Sequence, residues 1–284
     1  MAENSSIEWT HHTFNPWWGC TKVSPACGLP MKGHEGEPHG CCYADTFSNR
    51  LGFKIWGQDA TRRFFGEAHW NEPEKWDRKA KKDGVRRRVF CGSMCDVMEE
   101  RDDLIEPRTL LYDLIVQTPW LDWLLLTKRP QNFRRFLPAG WIENPVPNVW
   151  LMTTVESAEY LWRIDSLKAC PAVIHGLSIE PLLGPLPTLG EYLDGIDFAI
   201  VGGESGHGAR PMPPEWVRSV RDQCLNVGSE FFFKQWGEWS PTGLAKTHAY
   251  RDVSCGDGSH HRMFRVGKET AGRLFDGHEW NDLP

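Results

Sequence analysis

The chain reads as an α/β protein, an incomplete or full (β/α) barrel with about 6–7 parallel strands. Three observations carry this. From residue 89 onward, short apolar runs recur, each ending in small or polar residues. Helix-like stretches separate those runs. The 284 residues, 40% hydrophobic and 25% charged, are enough for one sizeable core at an ordinary globular balance.

Residues 7 to 20 form the first strand and its loop, and the chain then enters a cysteine-bearing loop. Residues 43 to 51 open a helix, with Asp45 and Thr46 near its start. Lys and Arg at 78, 79, 81, 82, 86, 87 and 88 make either a solvated helix face or a phosphate-contacting patch. The apolar runs follow: VFCGSMCD (89–96), WLLLTKRP (123–130), NVWLMTTVES (148–157), AVIHGLSIEP (172–181), FAIVGGESG (198–206) and EFFFKQWGE (230–238). Between them lie helical segments such as DLIEPRTLLYDLIVQ and PPEWVRSVRDQCLNVG. The second has Pro213 and Pro214 at its start and Gly228 at its end. Alternating strands and helices imply a parallel sheet covered by helices. Residues 1–240 make the barrel domain, and 241–284 a cap or closing helix packed on it.

The net charge of −6 argues against a protein that coats nucleic acid non-specifically, though it permits a local basic patch. No apolar run approaches the roughly 20 residues that span a bilayer, so no membrane partner is expected. MAENSSIEWT is not a secretory signal. Nine cysteines without such a signal suggest thiols in a reducing cytoplasm. Walker A, G-x-S-x-G and H-E-x-x-H motifs are absent, which removes the signatures of P-loop kinases, serine hydrolases and zincins.

Cys20, Cys27, Cys41 and Cys42 fall within residues 15–45. Thiols packed this closely bind metal or do redox work. Three thiolates hold three irons of a [4Fe–4S] cluster and leave the fourth open, whereas an electron carrier uses four. Zinc answers the same spacing, with His34 or His39 completing a four-coordinate site. Buried, unliganded cysteines are a third reading, and spacing does not separate the three.

The segments SIEWTHHTFNPWWGCTKVSPAC and CCYADTFSNRLG resemble the N-terminal signature of the phage Gp37/Gp68-type, three-Cys-motif family, which is related to radical S-adenosylmethionine (SAM) enzymes. The stretch RVGKETAGRLFDG resembles that family's C-terminal part. The family pattern is C-x6-C-x2-C-Y-A. Cys20 and Cys27 match its first two positions, and Cys42, followed by Tyr43 and Ala44, matches the third. Fourteen residues lie between Cys27 and Cys42 where the family has two, so Cys41 is an alternative third ligand. The resemblance implies a TIM-type partial barrel of the radical SAM kind and a [4Fe–4S] cluster held by Cys20, Cys27 and Cys42. It implies S-adenosyl-L-methionine as cofactor, an external electron donor, and the cytoplasm of a host cell. Some phage proteins of this similarity group isomerise N-linked glycyl-thymidine to its C-linked form during DNA hypermodification. The implied activity is therefore that of an isomerase, and the implied partner a modified DNA or nucleotide. The alternative is a zinc-bound or non-radical iron–sulfur accessory protein that binds nucleic acid.

A barrel gathers its strand ends at one mouth. SAM needs opposite charges for its amino and carboxylate groups and hydrogen bonds for its ribose. The cofactor-binding candidates are Ser93, Asp96, Thr127, Thr154, Ser178, Gly202, Gly203 and Glu204. The catalytic candidates are Lys128, Glu156 and Glu180, and Arg129, Ser205, Lys234 and Gln235 complete the strand-end set. VGGES (201–205) invites comparison with the GGE motif of radical SAM enzymes, but that motif sits on the second strand. GSMCD (92–96) holds that place, which makes Asp96 the candidate for the SAM amino group. Gly202 and Gly203 would let backbone approach a ligand. Lys128, Arg129 and the 78–88 run are the places to look for phosphate contacts. Cys91 and Cys95 read as core packing before they read as an auxiliary pair.

Overall fold

The computed structural model describes residues 2–31, 40, 42–243 and 249–284. The alternative ligands Cys41, His34 and His39 lie outside them. Each apolar run contains a strand: β2 (Arg87–Cys91), β3 (Leu121–Thr127), β4 (Val149–Thr154), β5 (Ile174–Ile179), β6 (Phe198–Gly202) and β7 (Glu230–Gln235), preceded by β1 (His12–Phe14). The strand order follows the chain from β1 to β7, with Ala2–Glu3 antiparallel at the β1 edge. The architecture is mixed α/β, with a seven-strand parallel sheet of the kind a partial β/α barrel uses. The helices that matter below are α1 (Tyr43–Arg50), α2 (Glu72–Asp83), α3 (Ile105–Gln117), α4 (Trp162–Lys168) and α5 (Pro214–Val227). Among the described residues, no helix is long and apolar enough to cross a membrane.

The chain forms two compact units. The first comprises residues 1–22, 44–153 and 166–175. Its parallel registers run His12 to Val89, Val89 to Trp123 and Trp123 to Val149. β3 reads LDWLLLT and buries every residue but Leu126 almost completely. A strand covered on both faces is mostly apolar, because neither face meets water, and its one charge, Asp122, is paired with Arg86. Burying each of Leu121, Leu124 and Leu125 is worth about 1.5–3 kcal/mol over leaving it exposed. The indole of Trp123 keeps its polar atom satisfied by donating to the Thr118 hydroxyl at 3.0 Å.

α2 buries Trp76, Asp77 and Ala80 and turns its lysines and arginine outward. Arg78, Lys79, Arg86 and Arg87 of the basic run pair with Glu74, Glu3, Asp122 and Asp83. Those positions form a solvated face neutralised by the chain's own carboxylates.

Arg62 is fully buried against Glu99, with Nη2 2.7 Å from Oε1. Its Nη1 donates to the carbonyls of Ile55, Gly57 and Ala60, and its Nη2 to the Thr21 hydroxyl. Among the described residues, Arg62→Ala would leave the buried Glu99 carboxylate with only Arg129 Nη2, at 4.0 Å, and would take a donor from the Ile55, Gly57 and Ala60 carbonyls. The expected loss of stability is about 3–5 kcal/mol, read as a lowered urea midpoint. An unchanged midpoint would show that water replaces these bonds at little cost.

The second unit comprises residues 23–43, 154–165 and 176–284. β5, β6 and β7 align through Gly176, Phe198 and Glu230. β6 is wholly buried. α5 buries Trp216, Val217, Val220 and Cys224, one stripe of an amphipathic helix. It stops at Gly228, whose φ of 79° lets its N–H reach the carbonyls of Cys224 and Leu225.

The tail differs from the closing helix that its sequence suggests. It is an antiparallel sheet of β8 (Trp239–Ser240), β9 (Tyr250–Ser254) and β10 (His260–Arg265), in the order β8-β10-β9. The helix described there, Lys268–Ala271, has only four residues. The physical cause is the CGDGS turn. Its Gly256 and Gly258 hold positive φ and fold β9 back on β10, and an Asp-Gly pair between short runs is a hairpin signal.

Candidate functional site

In the first unit, a network gathers where β2 and β3 end. Asn15, fully buried, accepts the Met94 N–H at 2.7 Å and donates to the Ser93 hydroxyl at 3.0 Å. This holds the GSMCD turn. Asp96 receives four internal donors. They are the Thr127 hydroxyl at 2.6 Å, the Met98 N–H at 3.0 Å, the Lys128 N–H at 3.2 Å and Arg129 Nη1 at 2.7 Å. A carboxylate offers about four acceptor positions, so this one is committed. Burial would raise the Asp96 carboxyl, but Arg129 and the hydrogen bonds outweigh it and hold the group below its ordinary range. A ligand's amino group would have to displace one of these donors.

The same Arg129 reaches Cys20. Nη1 lies 3.7 Å from Sγ, and Nη2 donates to the Thr21 carbonyl at 2.7 Å. Burial pushes the Cys20 thiol up and Asp96 adds to it, while Arg129 opposes both. Cys91 is fully buried in β2, and burial pushes its thiol up as well.

In the second unit, Cys27 closes a short turn, Pro25–Cys27, and Cys42 directly precedes α1. Glu204 and Arg210 form a bidentate pair, at 2.7 and 2.9 Å. Arg210 Nη2 also donates to the Pro25 carbonyl at 3.0 Å. Gly40 lies against the Glu204 carboxylate so closely that a Cβ there would stand 2.0 Å from Oε1. This one ion pair therefore touches both flanks of the loop between Cys27 and Cys42. Nothing in the sequence marks Arg210 for that role.

Gly202 and Gly203 do allow close approach, but to the chain itself. A Cβ on Gly202 would meet the Glu180 side chain at 3.3 Å, and one on Gly203 the Trp236 carbonyl at 2.0 Å. Glu180 crosses there to pair with Lys234 at 2.6 Å. Ser178 is buried, and its carbonyl accepts the Val155 N–H at 3.0 Å. Lys128 is half-buried.

Thr154 and Glu156 stand apart. Glu156 is fully buried, and its Oε2 accepts from Arg163 Nη1 at 2.8 Å. Among the described residues, Glu156 Oε1 and the Thr154 hydroxyl have no hydrogen-bond partner. Gln235 donates to the Ser205 hydroxyl at 3.2 Å, and its Oε1 is likewise without a partner. Buried polar atoms are nearly always bonded, so such exceptions call for a reason. Glu156 Oε1 and Gln235 Oε1 can only accept, so what they lack is a donor, while the Thr154 hydroxyl can either donate or accept.

Cys20 belongs to the first unit, Cys27 and Cys42 to the second. None of the eight described cysteines is joined in a disulfide. Among the described residues, no group of three or more His, Cys, Asp or Glu side chains is arranged to hold a metal ion. Three reduced thiols nevertheless match the donor chemistry of an iron–sulfur centre, and the orphaned acceptors match a ligand rich in N–H and O–H groups.

These features define a class: an α/β protein of parallel strands with polar side chains at the strand ends, the place where such sheets bind ligands. A family model described as a protein of unknown function, DUF5131, matches residues 4–284. The chain belongs to that family. No curated protein and no solved structure matches it.

Proposed function

We propose that this protein is a radical SAM enzyme and that it acts as an isomerase on a modified thymidine in phage DNA. Cys20, Cys27 and Cys42 would hold a [4Fe–4S] cluster with one iron left for SAM. The observation that carries this reading is the pair of orphaned polar atoms at the end of β4, Thr154 Oγ1 and Glu156 Oε1. A ligand with an ammonium group and ribose hydroxyls supplies partners for both. When bound, the reduced cluster and SAM supply a radical able to take hydrogen from an unactivated carbon, here the glycyl alpha carbon.

The chain's own residues do the rest. Arg129, held by Asp96, donates toward the Cys20 sulfur, and such second-sphere bonds tune a metal centre. Glu204 and Arg210 hold the flanks of Cys27 and Cys42. Glu156 orients bound ligand through Oε1 while Arg163 holds its other oxygen at 2.8 Å. Lys128, Glu156 and Glu180 are the charged groups proposed to face the reacting carbon, and Ser178 a cofactor contact.

The test is anaerobic reconstitution followed by SAM and dithionite. Release of methionine and 5′-deoxyadenosine is expected, from a brown, iron-containing protein. A colourless zinc protein, or an iron protein that leaves SAM intact, would overturn the reading. With DNA carrying N-linked glycyl-thymidine, nucleoside mass spectrometry should find a product of equal mass and altered retention. An unchanged nucleoside in a protein that does cleave SAM would remove only the substrate.

Thr154→Val separates binding from folding. Removing a buried hydroxyl with no partner should leave stability unchanged or slightly raised, because the shape is kept and a desolvated group is lost. SAM affinity should fall about tenfold, the value of one hydrogen bond near the upper end of its usual range. Calorimetric titration checks the affinity and a melting curve the stability. An unchanged affinity would take Thr154 out of the site.

A further inference from the structure

The basic run at 78–88 is largely neutralised, but a second basic surface in the first unit is not. Trp17–Trp18 pairs antiparallel with Arg63–Phe64, so Arg63 sits opposite Trp18, two residues before Cys20. The Arg63 guanidinium lies 4.8, 4.3 and 5.1 Å from the ring centres of Trp18, Phe53 and Phe65. Among the described residues it makes no hydrogen bond and no ion pair. Three rings thus hold a half-exposed guanidinium in place and leave its donors to be used by something else.

The surroundings extend this surface. Phe64 is 46% exposed and Phe47 37%. Phe47 packs edge-on against Trp18, and Arg50 stands one helical turn further along α1. Lys54 follows Phe53 and is exposed, as Arg50 is. Among the described residues, neither Arg50 nor Lys54 has an ion pair. No acidic residue lies between Asp45 and Asp59, and Asp45 is taken by Lys22 at 2.8 Å. The Gly57 N–H bonds the Cys20 carbonyl at 3.0 Å, so this surface borders the first cysteine.

We propose that this surface docks single-stranded DNA. Arg63, Arg50 and Lys54 would take successive phosphates, and the ring of Phe64 would take a base. An apolar protein partner would desolvate three cations without compensating them, whereas a nucleic-acid strand supplies both anions and flat rings. The proposal rests on the reading of DNA as substrate. Its assay needs neither cluster nor SAM, so its failure is distinct from failure of the radical chemistry.

The experiment is fluorescence anisotropy of the full chain with a labelled oligothymidylate, repeated over a salt series. Three phosphate contacts predict a slope of log affinity against log salt of about −2. Arg63→Gln should weaken binding about fivefold or more and make the slope shallower by about 0.7, one contact's share for a single strand. Phe64→Ala should weaken binding about tenfold with no change in slope, as expected for the loss of one stacked base. Lys82→Gln, on the basic run, should change nothing. Should Arg63→Gln lower the melting temperature, the exposed double variant R50Q/K54Q carries the same prediction with about two contacts' loss of slope. Equal binding by wild type and these variants, or binding confined to duplex DNA, would overturn the proposal.

Discussion

Alanine at Cys20, Cys27 or Cys42 is expected to reduce bound iron to background in the reconstituted protein. A cluster held by three thiolates has no spare protein ligand, so losing one leaves two irons without protein support. Serine at these positions should do nearly the same, because an alkoxide is not formed at neutral pH. Cys224→Ala is the control. Cys224 is fully buried in α5, so its loss should lower stability through a small cavity and leave iron intact. Cys41→Ala should also retain iron. Iron and sulfide assays with electron paramagnetic resonance decide between these outcomes. Iron lost on removing Cys41 and kept on removing Cys42 would transfer the third ligand to Cys41. Iron kept in all three primary variants would end the cluster reading.

Asp96→Ala should destabilise the fold by about 3–5 kcal/mol, because it strands a buried guanidinium. The side chains of Arg129 and Asp96 are only 11% and 8% exposed, so solvent does little to replace the lost partner. The double replacement D96A/R129M should recover part of that loss, since removing both charges leaves neither unpaired. Urea denaturation at constant m value measures both. A further consequence concerns acid. The Asp96 carboxyl lies below its ordinary range in the folded protein. Its contribution is therefore fully present above the unfolded value, about 3.9, and is lost as pH falls through the lower folded value. The variant should lack this part of the acid-induced loss. A stability equal to wild type in Asp96→Ala, accompanied by weak SAM binding, would return Asp96 to the role of a cofactor ligand.

The parallel strands were legible because β6 is apolar without alternation and β3 nearly so, a pattern that local composition displays directly. α5 was legible for the same reason, since Pro214 and Gly228 bracket one apolar stripe. Of the two readings of the tail, cap or closing helix, the helix gives way to strands, because an Asp-Gly turn joins two short runs that can pair. Arg129 was named only as a strand-end cation. Its bond to Cys20 joins positions 109 apart, and no local pattern encodes a partner at that distance. Arg62, Arg163 and Arg210 were missed for a related reason. Each is a buried or half-buried cation defined by the carboxylate it meets, and in sequence an arginine looks the same whether solvated or buried. Gly202 and Gly203 were legible as places of close approach, and the groups the fold brings beside them are the Glu180 side chain and the Trp236 carbonyl.

By itself, the sequence determined where strands and helices form and which thiols are available, because backbone preference and apolar period act over a few residues. The tertiary structure alone decided which carboxylates are spent on internal arginines and which acceptors are left bare. A charge removed from water must be met by whatever group the fold brings beside it, and that neighbour is set by chain segments far away in sequence.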